Sequence, residues 1–288
     1  MTNHIIINHD LDKAYLSAFK YAHSHYENFP VVSRFLPKSI RKHVAVVYQF
    51  ARQADDIADE GALLSTERIK KLEEYEQHLN DSLNNKSINE FWGALAETIK
   101  IRKLTVHHFY DLLSAFKQDV IKKRYENFDE ILDYCERSAN PVGKIILELF
   151  EIRDKQIIEY SDSICTGLQL TNFYQDVKVD FLKERIYLPI DEMDQFGVSE
   201  NVFEKKEDNT NFQLLLKHQV ERTEKLFEKG EEILRYLPLN LKFQIKLTIL
   251  GGRRILEKIK RINFDTLNNR PVLTKIDYII ILFRLIFN

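Results

Sequence analysis

The sequence predicts an all-α protein, and three observations carry that expectation. Apolar residues recur at helical spacing from about Leu11 to the end of the chain. Glycine and proline are scarce, with 8 Gly and 6 Pro in 288 residues, where average usage of about 12% would give roughly 35. Apolar residues make up 44% of the chain, enough for helices to cover each other's apolar faces around a sizeable core. So little glycine disfavours phosphate-binding glycine loops and β-sandwiches. The charge balance, 42 basic against 44 acidic side chains, argues against disorder and leaves no basic footprint for nucleic acid.

The elements follow in order. Leu11–Tyr26 reads as an amphipathic helix, and Pro30 and Pro37 punctuate a break over Phe29–Pro37. Ser39–Glu60 is the next helix, with Val44, Val47, Phe50 and Ala51 on one side and Gly61 as its stop. Ser65 opens a charged helix to about Leu83, with Arg68 three residues on. Helical runs follow at Ile88–Arg102, Thr105–Tyr125 and Phe128–Phe150, the last bent or broken near Pro141, which removes a backbone donor. Asp154–Lys183 is a long helix, and Asp191–Asp208 is polar and reads as a loop with short turns. Gln213–Tyr236 and Leu239–Asn263 form an αα-hairpin around Pro238, and a final helix starts near Thr274. With no repeat and no low-complexity linker, residues 1–288 read as one domain.

Cys135 and Cys165 lie within helical stretches and form no disulfide framework, which points to a reducing compartment. The N-terminus MTNHIIINHD has no apolar run of signal-peptide length. The longest apolar stretch, Tyr278–Phe287, is interrupted by Arg284 and falls short of the about 20 residues that span a bilayer. The expectation is a cytoplasmic protein whose last helix packs on the body or touches the inner face of a membrane.

Two acidic patterns carry the chemistry. In Asp55-Asp56-Ile57-Ala58-Asp59, a four-residue step turns about 400°, so Asp55 and Asp59 share a helix face. Their repulsion, and their position near a helix C-terminus where the macrodipole disfavours acids, calls for an offsetting charge. A hard divalent cation such as Mg²⁺ supplies it; the alternative is a solvated acidic helix end. In LQLTNFYQDVKVD, Gln169, Asn172, Asp176 and Asp180 follow at offsets of three, four and four, along one stripe of an otherwise apolar helix. That stripe is either a second Mg²⁺ face or an interhelical polar network. Taken together, the stripes imply a diphosphate substrate, since Mg²⁺ prefers one or two carboxylates plus substrate phosphates. The implied reaction is metal-assisted loss of diphosphate, leaving a carbocation that an aromatic-lined cavity can shelter.

The segments YQFARQADDIADE and QLTNFYQDVKVDFLKERIYLP resemble the two aspartate-rich signatures of the squalene/phytoene synthase family. The resemblance runs from about His23 to Arg270, so the domain has its core at about 23–270 and a C-terminal helix at 271–288. It implies an isoprenoid synthase helical bundle around a central cavity. It further implies Asp55, Asp59, Asn172 and Asp176 as Mg²⁺ ligands, with Asp180 completing the second stripe. Tyr48, Arg52 and Gln169 match positions that contact substrate or its diphosphate. Arg185 and Tyr187, in ERIYLP, match a further diphosphate-side pair, and Arg270 matches a C-terminal arginine. Tyr134, in DYCERSANPVG, matches a tyrosine proposed to handle a proton.

Three departures sharpen the expectation. A family His-Ser-Lys/Arg-Ser-Phe segment that holds a diphosphate reads His25-Tyr26-Glu27-Asn28-Phe29 here, so Glu27 replaces a cation. The usual arginine before Asp176 is Gln175. The usual Ala-Gly-x-Val-Gly is Ala139-Asn140-Pro141-Val142-Gly143. Two lost cations fit an enzyme that starts from a single diphosphate. HYENFPV, ARQADDIADEG and LQLTNFYQDV are similar to the bacterial branch that turns presqualene diphosphate and water into hydroxysqualene for hopanoid-linked squalene formation. The resemblance leaves open condensation of two farnesyl diphosphates to squalene, dehydrosqualene or presqualene diphosphate, with other pathway enzymes as partners. A non-catalytic helical assembly factor is the reading from another class. Elsewhere, His107-His108 reads as a helix start, and Asp119 as either a cavity-lining or a surface carboxylate.

Overall fold

The computed structural model describes residues 2–25, 36–204 and 210–287. Most of the expected break over Phe29–Pro37, together with Tyr26, Glu27 and the end of the Asp191–Asp208 loop, lies outside them. Among the described residues there is no strand. The helices are α1 (Thr2–Ser24), α2 (Lys38–Asp59), α3 (Ser65–Leu83), α4 (Glu90–Arg102), α5 (His107–Ile121), α6 (Phe128–Ser138) and α7 (Asn140–Leu149). They continue as α8 (Lys155–Gln175), α9 (Val177–Leu182), α10 (Ile190–Gln195), α11 (Asn201–Glu204), α12 (Thr210–Glu231), α13 (Leu239–Arg261) and α14 (Lys275–Phe287). The chain divides into two compact units, Met1–Ile121 with Pro141–Asp154, and Lys122–Asn140 with Lys155–Asn288.

In the first unit, α2 packs against α1, α3, α4 and α5. Its buried stripe contains Val44, Val47 and Phe50, as the spacing predicts. Phe50 is fully buried and meets Trp92 and Phe109 edge-on, with ring centroids 6.1 and 5.3 Å away. The Tyr75 hydroxyl donates to the Phe50 carbonyl at 3.1 Å. Beyond α2, Gly61 stops the helix at φ +76°, a left-handed turn glycine adopts without strain. Arg68 then reaches back from α3. Its guanidinium donates to the carbonyls of Ile57 (2.9 Å), Glu60 (3.0 Å) and Gly61 (2.7 Å). Those C-terminal carbonyls have no intrahelical donor, and a cation there opposes the negative end of the macrodipole.

In the second unit, α8 and α12 share the closest helix packing. Gly230 makes it possible. A Cβ at that position would stand 2.5 Å from Ile164 Cγ1 and 3.0 Å from the Tyr160 carbonyl oxygen. On the next layer, α14 lies on α13 through Ile281, Leu285 and Leu250. No helix among the described residues is long and apolar enough to cross a membrane.

Several elements differ from expectation. Helix α1 begins at Thr2, well before Leu11. Helix α5 stops at Ile121 rather than Tyr125. The reason is tertiary: the amides of Ile186, Ile190 and Asp191 donate to the carbonyls of Lys123 (3.0 Å), Tyr125 (2.9 Å) and Glu126 (3.1 Å), which holds that stretch out of a helix. The Phe128–Phe150 run, by contrast, breaks where expected, at Ala139, two residues before Pro141. The Asp154–Lys183 run is two helices, α8 and α9, meeting at Asp176 (φ −105°, ψ 13°). The polar stretch after Pro189 contains the short helices α10 and α11.

Candidate functional site

The first acidic motif occupies the last turns of α2. Tyr48, Arg52, Asp55 and Asp59 follow at steps of four, three and four. All four are half-buried, whereas Phe50, Ala54 and Ala58, on the opposite side, are buried. One stripe of α2 therefore stays accessible, as the spacing predicts. Arg52 serves several acids at once, with its Nη2 2.8 Å from Asp56 Oδ1 and its Nη1 3.4 Å from Asp55 Oδ2. The Tyr21 hydroxyl donates to Asp56 Oδ2 at 3.4 Å. His25, just beyond α1, stacks on the Tyr21 ring at 4.0 Å, and its Nδ1 lies 2.9 Å from the Tyr21 carbonyl.

Asp55 is short of positive charge. Burial pushes its carboxyl pKa up to about 7; Arg52 opposes this, and Asp59, Asp119 and Asp56 push it further up. Asp119, on α5, is 8% exposed, which argues against its surface reading, and its charge acts on Asp55. Its helix face gave only an ambiguous signal, because the partner motif is remote in sequence. Among the described residues, no three His, Cys, Asp or Glu side chains close around one point. A cation held by Asp55 and Asp59 would need further ligands from water or substrate oxygens. Hard oxygen donors, one or two carboxylates and an excess of negative charge are what Mg²⁺ would require.

The second motif lies on α8 and α9. The residues of α8 flanking the stripe, such as Leu170, Thr171, Phe173 and Tyr174, are buried, while Gln169 and Asp176 are half-buried and Asn172 is exposed. Although the helix bends at Asp176, its i to i−4 bonding continues: Asp176 N–H donates to the Asn172 carbonyl at 2.9 Å and Asp180 N–H to the Asp176 carbonyl at 2.8 Å. Arg270 forks onto Asp176, with Nε 2.5 Å from Oδ1 and Nη2 3.1 Å from Oδ2. Gln175 does not share this accessible stripe. It is 3% exposed, and its Nε2 donates to the Pro271 carbonyl at 2.7 Å.

Asp180, Arg185, Tyr187 and Phe173 line a cavity of about 10 Å³, room for one water. Beside it, Tyr125, Tyr134, Phe173 and Tyr187 form an aromatic cluster. Phe173 and Tyr187 stack at 3.7 Å and 7°, and Tyr134 stands 5.8 and 5.9 Å from them. Tyr134 is 4% exposed. Phe173 and Tyr125 carried no sequence signal of their own, since aromatic residues are most often core. Asn140 is engaged, accepting from the Thr166 hydroxyl at 3.0 Å. His107 and His108 open α5, beside Asp111.

The helical fold is that of the squalene synthase-type isoprenoid synthases. The crystal structure of the squalene synthase HpnC from Alicyclobacillus acidocaldarius matches with a TM-score of 0.82 at 33% identity, covering 88% of this chain and 95% of that one. Residues 22–277 match the squalene/phytoene synthase family, and the chain belongs to it. It is 38% identical over 177 residues to a hydroxysqualene synthase of Zymomonas mobilis, an alignment covering 60% of this chain and 58% of that enzyme. It is 31% identical over 236 residues to a hydroxysqualene synthase of Sinorhizobium fredii, covering 81% and 80%.

Proposed function

We propose that the protein converts presqualene diphosphate and water to hydroxysqualene, releasing diphosphate in a Mg²⁺-dependent reaction. The observation that carries this reading is the accessible acidic stripe of α2, where Asp55 and Asp59 lie one turn apart beside Arg52. Asp55 and Asp59 in one unit, and Asn172 and Asp176 in the other, are the proposed Mg²⁺ ligands. When bound, the ion offsets the charge of the leaving diphosphate. Arg52, Arg185 and Arg270 bind the phosphate oxygens, with His25, Tyr48, Gln169 and Asp180 completing the substrate contacts. Aromatic side chains near the site, of which Tyr134 is the named candidate, shelter the cyclopropylcarbinyl cation and exclude bulk water while it rearranges. Water then adds through oxygen and loses one proton, which Tyr134 helps to guide. The exposed apolar side chains of α14, Ile276, Ile279 and Phe283, offer a peripheral lipid contact for a water-insoluble product.

The test is incubation of the purified protein with Mg²⁺ and either presqualene diphosphate or farnesyl diphosphate, with product identification by mass spectrometry. Hydroxysqualene is expected from the first substrate alone. Efficient conversion of farnesyl diphosphate to presqualene diphosphate or a C30 hydrocarbon would overturn the reading. No diphosphate release from either would favour the non-catalytic alternative.

A further inference from the structure

Gln175 and Asp176 are consecutive, and so are their partners. The Gln175 carboxamide donates to the Pro271 carbonyl, and the Arg270 guanidinium holds the Asp176 carboxylate. The stretch between α13 and α14 is thus tied to the end of α8 at two adjacent points. Before Arg270, the turn is closed locally. Asn269 N–H donates to the Asp265 carbonyl at 3.1 Å, and the Asn268 side chain to the Asp265 carboxylate at 3.0 Å. After Pro271, Leu273 packs with Leu250 and Ile281, and the Thr274 N–H donates to Asp277 at 2.8 Å. Between these anchors, the Gln175 hydrogen bond ties the backbone next to Arg270 to the end of α8.

The geometry of that tie is demanding. Pro271 is buried and its carbonyl needs a donor. Gln175 supplies one from a position that is itself 3% exposed. An arginine at 175 reaching out to an anion would leave the carbonyl without that donor. Arg270, by contrast, keeps 47% of its side chain exposed, so its guanidinium remains within reach of a ligand while paired to Asp176.

We propose that Gln175 is a positioning residue for the diphosphate site: by holding Pro271 it sets Arg270 beside Asp176. The proposal rests on the reading above in one respect, that the ligand carries a diphosphate. It changes the meaning of the Gln175 departure. The side chain gives up a charge of its own and instead holds in place the arginine that stands next to the acids of the second motif.

The experiment uses the full chain and inorganic diphosphate with Mg²⁺ as the probe, measured by isothermal titration calorimetry. Its variants are Gln175→Met, Arg270→Met and the double variant. Gln175→Met keeps side-chain volume and removes the donor. It should weaken diphosphate binding roughly five- to tenfold, the scale of one lost hydrogen bond. In the Arg270→Met background the same exchange should produce no further loss, because its effect passes through Arg270. In turnover, Gln175→Met should raise KM more than it lowers kcat. A merely structural role would lower thermal stability and leave binding unchanged, or weaken it equally in both backgrounds; either result overturns the proposal. If Gln175→Met does not fold, Gln175→Asn, one methylene too short to reach Pro271, takes its place in the comparison. A crystal structure of the wild-type protein with Gln175 Nε2 away from the Pro271 carbonyl also overturns it. Failure of the wild type to bind diphosphate removes the functional reading and this inference together, whereas wild-type binding with unchanged variants removes this inference alone.

Discussion

Arg254 and Asp277 form an ion pair with 2.7 Å between Nε and Oδ1, and their side chains are only 4% and 3% exposed. The carboxylate also accepts from Lys258 Nζ at 2.6 Å and from the Thr274 hydroxyl and amide at 2.7 and 2.8 Å. Burial alone would raise the Asp277 pKa, but these donors outweigh it and hold the group well below the usual carboxylate range. Asp277→Ala removes one of the two carboxylates that hold the buried Arg254, leaving Glu257 Oε2 2.7 Å from its Nη1, and breaking a buried pair costs up to about 3–5 kcal/mol. Urea unfolding should show a loss of about 2–4 kcal/mol, and a loss below about 1 kcal/mol would mean that Glu257 alone satisfies Arg254.

His43 predicts a separate pH dependence. It is 1% exposed, with Nδ1 2.9 Å from Thr98 Oγ1. Burial first, and then Arg102 and Lys42, lower its pKa to about 4 from 6.5. The unfolded chain therefore takes up a proton near pH 6.5 that the folded chain refuses until about pH 4. This group's share of stability is full above pH 6.5, falls by about 3 kcal/mol between pH 6.5 and 4, and is flat below. The stability gap between wild type and His43→Gln should shrink across that window, and a constant gap would refute the assignment.

The α8–α12 crossing predicts opposite outcomes for two glycines. At Gly230 an added methyl meets backbone at Tyr160 and Ile164, which no rotamer change relieves. Gly230→Ala should cost about 1–3 kcal/mol. At Gly93, in α4, the nearest atoms lie 3.9 Å away, so Gly93→Ala should be neutral or stabilise by up to about 1 kcal/mol through helix propensity. Thermal unfolding of the two variants distinguishes them directly.

For the proposed metal sites, Asp55→Asn and Asp176→Asn should each lower diphosphate release at least about 100-fold, as expected when a group stabilising the leaving charge is removed, while far-UV circular dichroism stays unchanged. EDTA should abolish turnover and added Mg²⁺ should restore it. Near-normal turnover in either variant would remove that residue from the ligand set.

The legible parts of this molecule were those written in local spacing. The period of α2 gave its buried stripe, and the same period put Tyr48, Arg52, Asp55 and Asp59 on the accessible face. Residues 122–125 read as helix by local spacing because they contain neither glycine nor proline and continue an amphipathic run. Their true conformation depends on amides of residues 186–191, which no local window includes. Gln175 was visible as a missing charge, yet its amide meets a carbonyl 96 residues later. Arg68 was noted as a first-turn residue of α3, and only the fold shows it caring for the carbonyls of α2.

The amides of Ile186, Ile190 and Asp191 reach the carbonyls of Lys123, Tyr125 and Glu126 through main-chain bonds. These bonds do not depend on which side chains the two segments display, and two of those side chains, Tyr125 and Tyr187, belong to the aromatic cluster. A ring exchange at either position therefore leaves this main-chain ladder able to form, and its cost falls on the packing of the buried cluster.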